Sequence, residues 1–185
     1  SELRGECPAS RPRENTGCGV AGTTCEYGKS ADSQCNSTLA CFGDSFRTYW
    51  DARPTDRCHA KTCPTTPVDV STLEGKPCEL AVDDGGAGDV DPDGGATTKP
   101  ITDADEAVCN MANGVCACTT GASGSAHARV WVCMKPLAVC PPNRPLAGTV
   151  CSGALYCDYG SCAFKRGVVM ECQNDRWQVS GATCP

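Results

Sequence analysis

The chain has 185 residues, of which 18 are cysteines and only 5% are aromatic, and its formal net charge is −6. So many cysteines beside so few aromatic side chains exclude a single large apolar core and favour a scaffold held by disulfides. No apolar run approaches the ~20 residues that a membrane helix requires, so we expect no transmembrane segment.

The cysteines are predicted to pair as disulfides in an oxidising compartment, because their number is even and their spacing does not suit a metal. Zinc modules use paired C-x2-C spacings, and none occurs here. We therefore expect an extracellular protein, secreted or at a cell surface. The first residue, Ser1, is what a removed signal peptide would leave. The predicted half-cystines are Cys7, Cys18, Cys25, Cys35, Cys41, Cys58, Cys63, Cys78, Cys109, Cys116, Cys118, Cys133, Cys140, Cys151, Cys157, Cys162, Cys172 and Cys184.

Recurring Cys-Pro pairs divide the chain into an internal repeat of three units, which we place at residues 1–62, 63–139 and 140–185. Each unit contains six cysteines. We predict a small, disulfide-rich, mainly β fold with little helix, in which each unit is built on short hairpins. The dividing pairs are Cys7-Pro8, Cys63-Pro64, Cys140-Pro141 and Cys184-Pro185.

Units one and three resemble each other beyond their cysteine count. The tetrapeptide Cys25-Glu26-Tyr27-Gly28 returns as Cys157-Asp158-Tyr159-Gly160, and Trp50 and Trp177 each follow the fifth cysteine of their unit. We expect each tryptophan to pack over a disulfide. A role in binding is the alternative, because tryptophan is also enriched at interfaces.

The clearest hairpin pattern is in unit three. Residues 168–172 and 176–179 alternate as strands around a turn at 173–175. In unit one, residues 38–42 and 46–50 flank Gly43-Asp44-Ser45 in the same way.

Unit two departs from its siblings. It lacks the Tyr-Gly pair, and Trp131 comes just before its last cysteine, so we expect its disulfide pairing to differ. The tight pair Cys116 and Cys118 is expected to point to opposite sides of a strand. An acidic Gly/Asp-rich insertion, 79–108, separates its second and third cysteines.

The insertion carries nine acidic residues and one base, for a local charge of −8. Its stretch Asp89-Val90-Asp91-Pro92-Asp93-Gly94 has the spacing of a calcium loop, so Asp89, Asp91 and Asp93 are the predicted calcium ligands. Asp103, Asp105 or Glu106 would complete the set, since Pro100 stands where an EF-hand requires glutamate. The alternative is a solvated acidic loop that binds no ion. No other cofactor is predicted.

No catalytic arrangement emerges, so we predict that the protein is not an enzyme. His59 and His127 stand outside any metal or hydrolase motif and are expected in surface loops. No basic and aromatic patch predicts nucleic-acid binding. Asn36-Ser37-Thr38 is a glycosylation sequon that we expect in a surface loop.

The order Cys-Pro, Cys, Cys-x-Tyr-Gly, Cys, Cys, Trp, Cys-Pro, best seen over residues 140–185, resembles the cysteine-rich repeats of secreted and surface proteins of myxobacteria and their relatives. The resemblance covers units one and three well and unit two poorly. It implies an exported bacterial surface protein and assigns no activity to any residue.

Three functions follow for comparison. The first is a structural or adhesive cell-surface protein that self-associates, with assembly into a filament through the edge strands of its hairpins. The second is a module that binds a glycan or another surface protein through exposed aromatics. The third is a protease inhibitor that presents Lys165-Arg166-Gly167. The aromatic candidates are Tyr27, Tyr49, Trp50, Trp131 and Tyr156.

Overall fold

The computed structural model describes residues 6–43, 47–53, 58–81, 105–120 and 128–181. Nine strands there form three separate three-stranded antiparallel sheets. Helix in the described residues is confined to one turn, α1 (Val70–Leu73), and to two 3₁₀ turns at Ser33–Cys35 and Ala60–Thr62. The predicted small, disulfide-rich, mainly β fold is confirmed. None of these helical turns is long enough to cross a membrane.

Each sheet lies within one predicted unit, and strands adjacent in sequence pair with one another. Every sheet is therefore a simple meander, which requires only local connections. The strands of unit one are β1 (Thr24–Tyr27), β2 (Ser37–Gly43) and β3 (Thr48–Ala52). Those of unit two are β4 (Ala107–Asn110), β5 (Val115–Thr120) and β6 (Arg129–Met134). Those of unit three are β7 (Tyr156–Tyr159), β8 (Val168–Gln173) and β9 (Arg176–Ser180).

The hairpin predicted in unit three is present, with one more pair of residues than expected. Gln173 pairs with Arg176, so that only Asn174 and Asp175 form the turn. Both turn residues have positive φ, 52° and 60°, as a type I′ turn requires. Asparagine and aspartate tolerate this conformation, which explains why the turn occurs here.

In units one and two the disulfides follow one order: first to third, second to fifth, fourth to sixth. The two described bridges of unit three are first to third and second to fifth. In unit two this order holds without exception, so the expectation of a different pairing is wrong. Cys162 is also disulfide-bonded, and Cys184 lies outside the described residues. The bridges are Cys7–Cys25, Cys18–Cys41, Cys35–Cys58, Cys63–Cys109, Cys78–Cys118, Cys116–Cys133, Cys140–Cys157 and Cys151–Cys172.

The three tryptophans occupy equivalent positions, so Trp131 is not the departure that its place in the sequence suggested. Each stands opposite the fifth cysteine of its unit and is 3–7% exposed. Each also exchanges two backbone hydrogen bonds with a segment that precedes the second cysteine. The second-to-fifth disulfide therefore links the two chain segments that flank the tryptophan-containing strand. In that segment the first residue has positive φ: Asn15, Gly75 and Gly148.

The repeated Cys-Pro and Tyr-Gly pairs meet in space. The hydroxyl of Tyr27 donates to the carbonyl of Pro8 at 3.1 Å, and that of Tyr159 donates to Pro141 at 2.8 Å. The first-to-third disulfide brings the two motifs together. In unit two the position of the tyrosine is taken by Met111, which is buried and needs no such partner.

Cys116 and Cys118 lie on the same face of β5, which corrects the expectation of opposite sides. Side chains two apart on a strand share a face. Both are fully buried and belong to one apolar cluster. Cys116 stands opposite Cys133, its disulfide partner, across the β5–β6 pair.

The largest apolar cluster crosses the boundaries between units. It combines Val115 and Ala117 of β5 with Tyr159, Met170 and Trp177 of unit three. Ala31 of unit one also belongs to it. Units two and three therefore share a core, and the chain is not a string of independent cores.

Candidate functional site

A buried ion pair joins units one and three. The side chains of Glu26 and Arg144 are each 2% exposed, and the guanidinium donates to both carboxylate oxygens, at 2.5 and 2.9 Å. Two further donors reach the same carboxylate, the Asn36 side-chain amide at 2.6 Å and the Ala147 backbone N–H at 3.1 Å. A buried ion pair requires this degree of hydrogen bonding to offset its desolvation.

Two local features bring the pair together. Glu26 alternates on β1 with Cys25, so that Cys25 enters the core of unit one while Glu26 faces unit three. Arg144 follows the proline-fixed lead of unit three, and Ala147 accepts a backbone hydrogen bond from Glu26 at 3.0 Å. The Arg144 guanidinium also donates to the carbonyls of Ala31 and Pro145, at 2.9 and 3.0 Å. The opening segment of unit three is thus docked along β1.

A second arginine completes the contact among all three units. Arg166 of unit three pairs with Asp32 of unit one at 2.9 Å. Its backbone N–H donates to Glu106 of unit two at 3.0 Å. Glu106 is 1% exposed and also accepts a 2.6 Å hydrogen bond from the Thr119 hydroxyl. We call these five groups, Glu26, Arg144, Asp32, Arg166 and Glu106, the inter-unit junction.

Burial shifts the ionisation of groups at and beside this junction. It lowers the pKa of Arg144, against the opposing effect of the Glu26 carboxylate. It raises the pKa of Asp32, against the opposing effect of Arg166. It also raises the pKa of Tyr159 to about 12. These directions are those of a poorly solvated site, where an unpaired charge would be costly.

His59 is buried, which corrects its predicted place in a surface loop. It is 4% exposed, and its Nδ1 lies 3.3 Å from the carbonyl of Ala81. Its Nε2 lies 3.9 Å from a carboxylate oxygen of Asp105 and has no hydrogen-bond partner in the described part of the chain. His59 thus contacts both residues that border the undescribed segment 82–104. His127 lies outside the described residues.

The predicted calcium ligands Asp89, Asp91 and Asp93 lie outside the described residues, so the calcium site stays a prediction. Two of the three acids proposed to complete it are described, and both have other contacts: Asp105 with His59, and Glu106 in the junction. Across the described ranges, no three His, Cys, Asp or Glu side chains come together in a way that could hold a metal ion.

Asn36 is 2% exposed, so the sequon is not in an accessible loop as expected. Its amide donates to Glu26 and to the carbonyl of Ser30, and its carbonyl oxygen accepts from the Ser30 N–H. An oligosaccharide on this nitrogen is incompatible with the fold. The side chain instead positions the carboxylate of Glu26.

The loop considered for protease inhibition is also engaged. Arg166 is held by Asp32 through its side chain and by Glu106 through its backbone. An inhibitor requires an extended, free loop at this position, whereas this arginine is part of the junction.

The aromatic side chains divide between core and surface. The tryptophans belong to the core, whereas Tyr156 is 54% exposed and Phe42 39%. Phe42 and Tyr49 pair across β2 and β3 with ring centroids 6.4 Å apart. Of the aromatics proposed for binding, Tyr49 and Tyr156 therefore retain exposed surface, and Tyr27 is tied to Pro8.

No family model, curated protein or solved structure matches this chain. The resemblance to myxobacterial surface repeats therefore stays a prediction.

The inter-unit junction was not predicted from the sequence. Its hydrogen-bonded partners are separated by up to 134 residues and follow no local pattern. The one available signal was the acidic residue between Cys25 and Tyr27, which recurs as Asp158. The recurrence misleads, because Asp158 accepts a local hydrogen bond from Ser161 while Glu26 crosses to another unit.

Proposed function

We propose that the protein is an extracellular structural or adhesive component of a cell surface. The disulfide content fits an extracellular protein. The observation that supports a mechanical role is the overlap of the disulfide loops. In unit one, each loop opens before the previous one closes: residues 7–25, 18–41 and 35–58.

The same overlap holds in unit two and between the described bridges of unit three. Between Cys7 and Cys172, only residues 59–62 and 134–139 lie outside a closed loop. A chain closed in this way extends little under tension, and a cut inside a closed loop leaves its two ends covalently joined. The two open connections are supported by the inter-unit junction and by the core that units two and three share.

Self-association is part of the proposal, but the edge of β9 is not free along its whole length. Trp177 in that edge already exchanges two backbone hydrogen bonds with Gly148 and Thr149. Assembly into a fibre would therefore rely on side chains. In the described part of unit three, residues 140–181, three large apolar side chains are more than half exposed: Val150, Tyr156 and Val179.

The proposal is tested by location and native size. Antibody against the folded protein should detect it in the washed cell-surface fraction of the producing cells, and light scattering should detect assemblies that reductant disperses. Recovery only as a soluble monomer that does not bind isolated surface material would overturn the proposal. Inhibition of a protease by that monomer would favour the inhibitor hypothesis.

A further inference from the structure

We propose that the outer face of the β2–β3 hairpin binds an acidic polysaccharide. This inference names the ligand of the adhesive role and therefore rests on the proposed function. The face is defined by Phe42, Arg47, Tyr49, Asp51 and Arg53. It is the side of the hairpin opposite Cys41 and Trp50, which enter the core.

The centre of the face is an aromatic pair. Phe42 and Tyr49 stand in register, with their rings inclined at 31°. Phe42 is 39% exposed, although each neighbouring core residue, Cys41 and Trp50, is 3% exposed or less. The apolar C–H faces of pyranose rings pack on such surfaces, while their hydroxyls remain free for polar side chains.

An arginine stands at each end of the pair. The guanidinium carbon of Arg47 lies 5.4 Å from the centre of the Tyr49 ring, and that of Arg53 lies 5.4 Å from the Phe42 ring. Packing on a ring holds a guanidinium in a defined plane. A planar guanidinium binds a carboxylate or sulfate through two parallel hydrogen bonds.

The face continues into a groove lined by Arg11, Gln34, Ser37 and Arg53. Arg53 thus borders both surfaces. Within the groove, Arg11 already donates to the hydroxyl of Ser37 at 2.6 Å and pairs with Glu14 at 3.1 Å. Arg53 is therefore the side chain that extends the aromatic face toward the groove.

The charge of unit one favours an acidic ligand. Its acids Glu26 and Asp32 are buried and paired with arginines of unit three. Among the described residues of unit one, this leaves six exposed basic side chains and three exposed acidic ones. The bases are Arg11, Arg13, Lys29, Arg47, Arg53 and Lys61, and the acids are Glu6, Glu14 and Asp51.

Asp51 selects the kind of polyanion. It stands on β3 between Tyr49 and Arg53, opposite Ala40. A continuous line of phosphates would meet its carboxylate, whereas a polysaccharide with spaced acidic groups can present a hydroxyl there. The observations therefore favour a glycan over a nucleic acid.

Binding to alginate oligomers, a polyuronate, is compared with binding to neutral dextran by calorimetry at low salt with a chelator present. We expect alginate to bind and dextran to bind at least about tenfold more weakly. Arg53→Gln and Tyr49→Ala should each weaken alginate binding by about tenfold, and salt should weaken it further. Lys29→Gln, which removes an exposed base elsewhere on unit one, should change it less than about twofold. Circular dichroism checks that each variant is folded. If Tyr49→Ala does not fold, Arg47→Gln replaces it in the binding measurement.

No binding of alginate, equal binding of dextran, or an equal effect of Lys29→Gln and Arg53→Gln would overturn the proposal. If the face variants abolished self-association and alginate did not bind, the occupant would be a second copy of the chain. If the protein is found in the washed cell-surface fraction but does not bind alginate, the glycan proposal fails and the proposed function stands. If the protein is absent from that fraction, the proposed function fails.

Discussion

Replacing Glu26 by glutamine tests whether the inter-unit junction holds the three units together. The change preserves shape but removes the counter-charge of Arg144 from a site where both side chains are 2% exposed. It also turns an amide NH₂ toward groups that are themselves donors, since four hydrogen bonds converge on the Glu26 carboxylate. Breaking a buried pair by removing one partner costs about 3–5 kcal/mol, and we expect a loss of that size.

The free energy of unfolding is measured by urea titration with the disulfides intact, followed by tryptophan fluorescence. All three tryptophans are buried, so each unit contributes to the signal. An unchanged slope with a lower midpoint would show lost stability without a change in the unfolded state. Adding Arg144→Met to Glu26→Gln should recover part of the loss, because the second change removes the unpaired buried charge.

Glu6→Gln is the matched control. Glu6 and Arg176 also join units one and three, at 3.2 Å, but their side chains are 70% and 23% exposed. Exposed pairs contribute about 0–1 kcal/mol, so this variant should remain near the parent protein. A loss below about 1 kcal/mol for Glu26→Gln, or equal losses for the two variants, would refute the role assigned to the junction.

Three further predictions address packing, backbone conformation and ionisation. Trp177→Ala should cost about 3–5 kcal/mol in urea unfolding, and a loss under about 1 kcal/mol would place this side chain outside the core. Gly148→Ala should destabilise far more than Gly153→Ala: both positions have positive φ, but only at Gly148 would a Cβ collide, 2.2 Å from the Cys7 sulfur. Equal melting temperatures for the two would contradict this. Tyr159 should ionise near pH 12 in an absorbance titration, and Tyr159→Phe should remove that step. Because the folded pKa exceeds the ordinary value of 10, the stability that Tyr159 contributes is complete below pH 10 and lost as pH rises to 12. An absorbance titration without a tyrosine step near pH 12 would disprove it.

The repeat, the disulfide scaffold and the terminal hairpin were predictable from sequence because each depends on local chemistry. Cys-Pro spacing marks the units, and Asn174-Asp175 suits a tight turn between alternating strands. The burial of the tryptophans follows from the scarcity of other large apolar residues.

Unit two shows where sequence comparison failed. Trp131 lies two residues before Cys133, which hid its equivalence to Trp50 and Trp177. The equivalence is one of strand register: each tryptophan faces the fifth cysteine, and register depends on pairing across the sheet. In unit two the fourth and sixth cysteines lie on strands β5 and β6, and they pair with each other as in unit one.

By itself, then, the sequence determined a disulfide-rich, mainly β fold in small units, because the chain is too poor in aromatics for one large core, but it did not determine which cysteines pair. Only the tertiary structure decided how those units meet. Glu26, Asp32 and His59 look like ordinary surface residues in the sequence, and each is buried through contacts with residues at least 22 positions away. The physical reason is that desolvation and ion pairing depend on which surfaces come together, and no local pattern of residues encodes that.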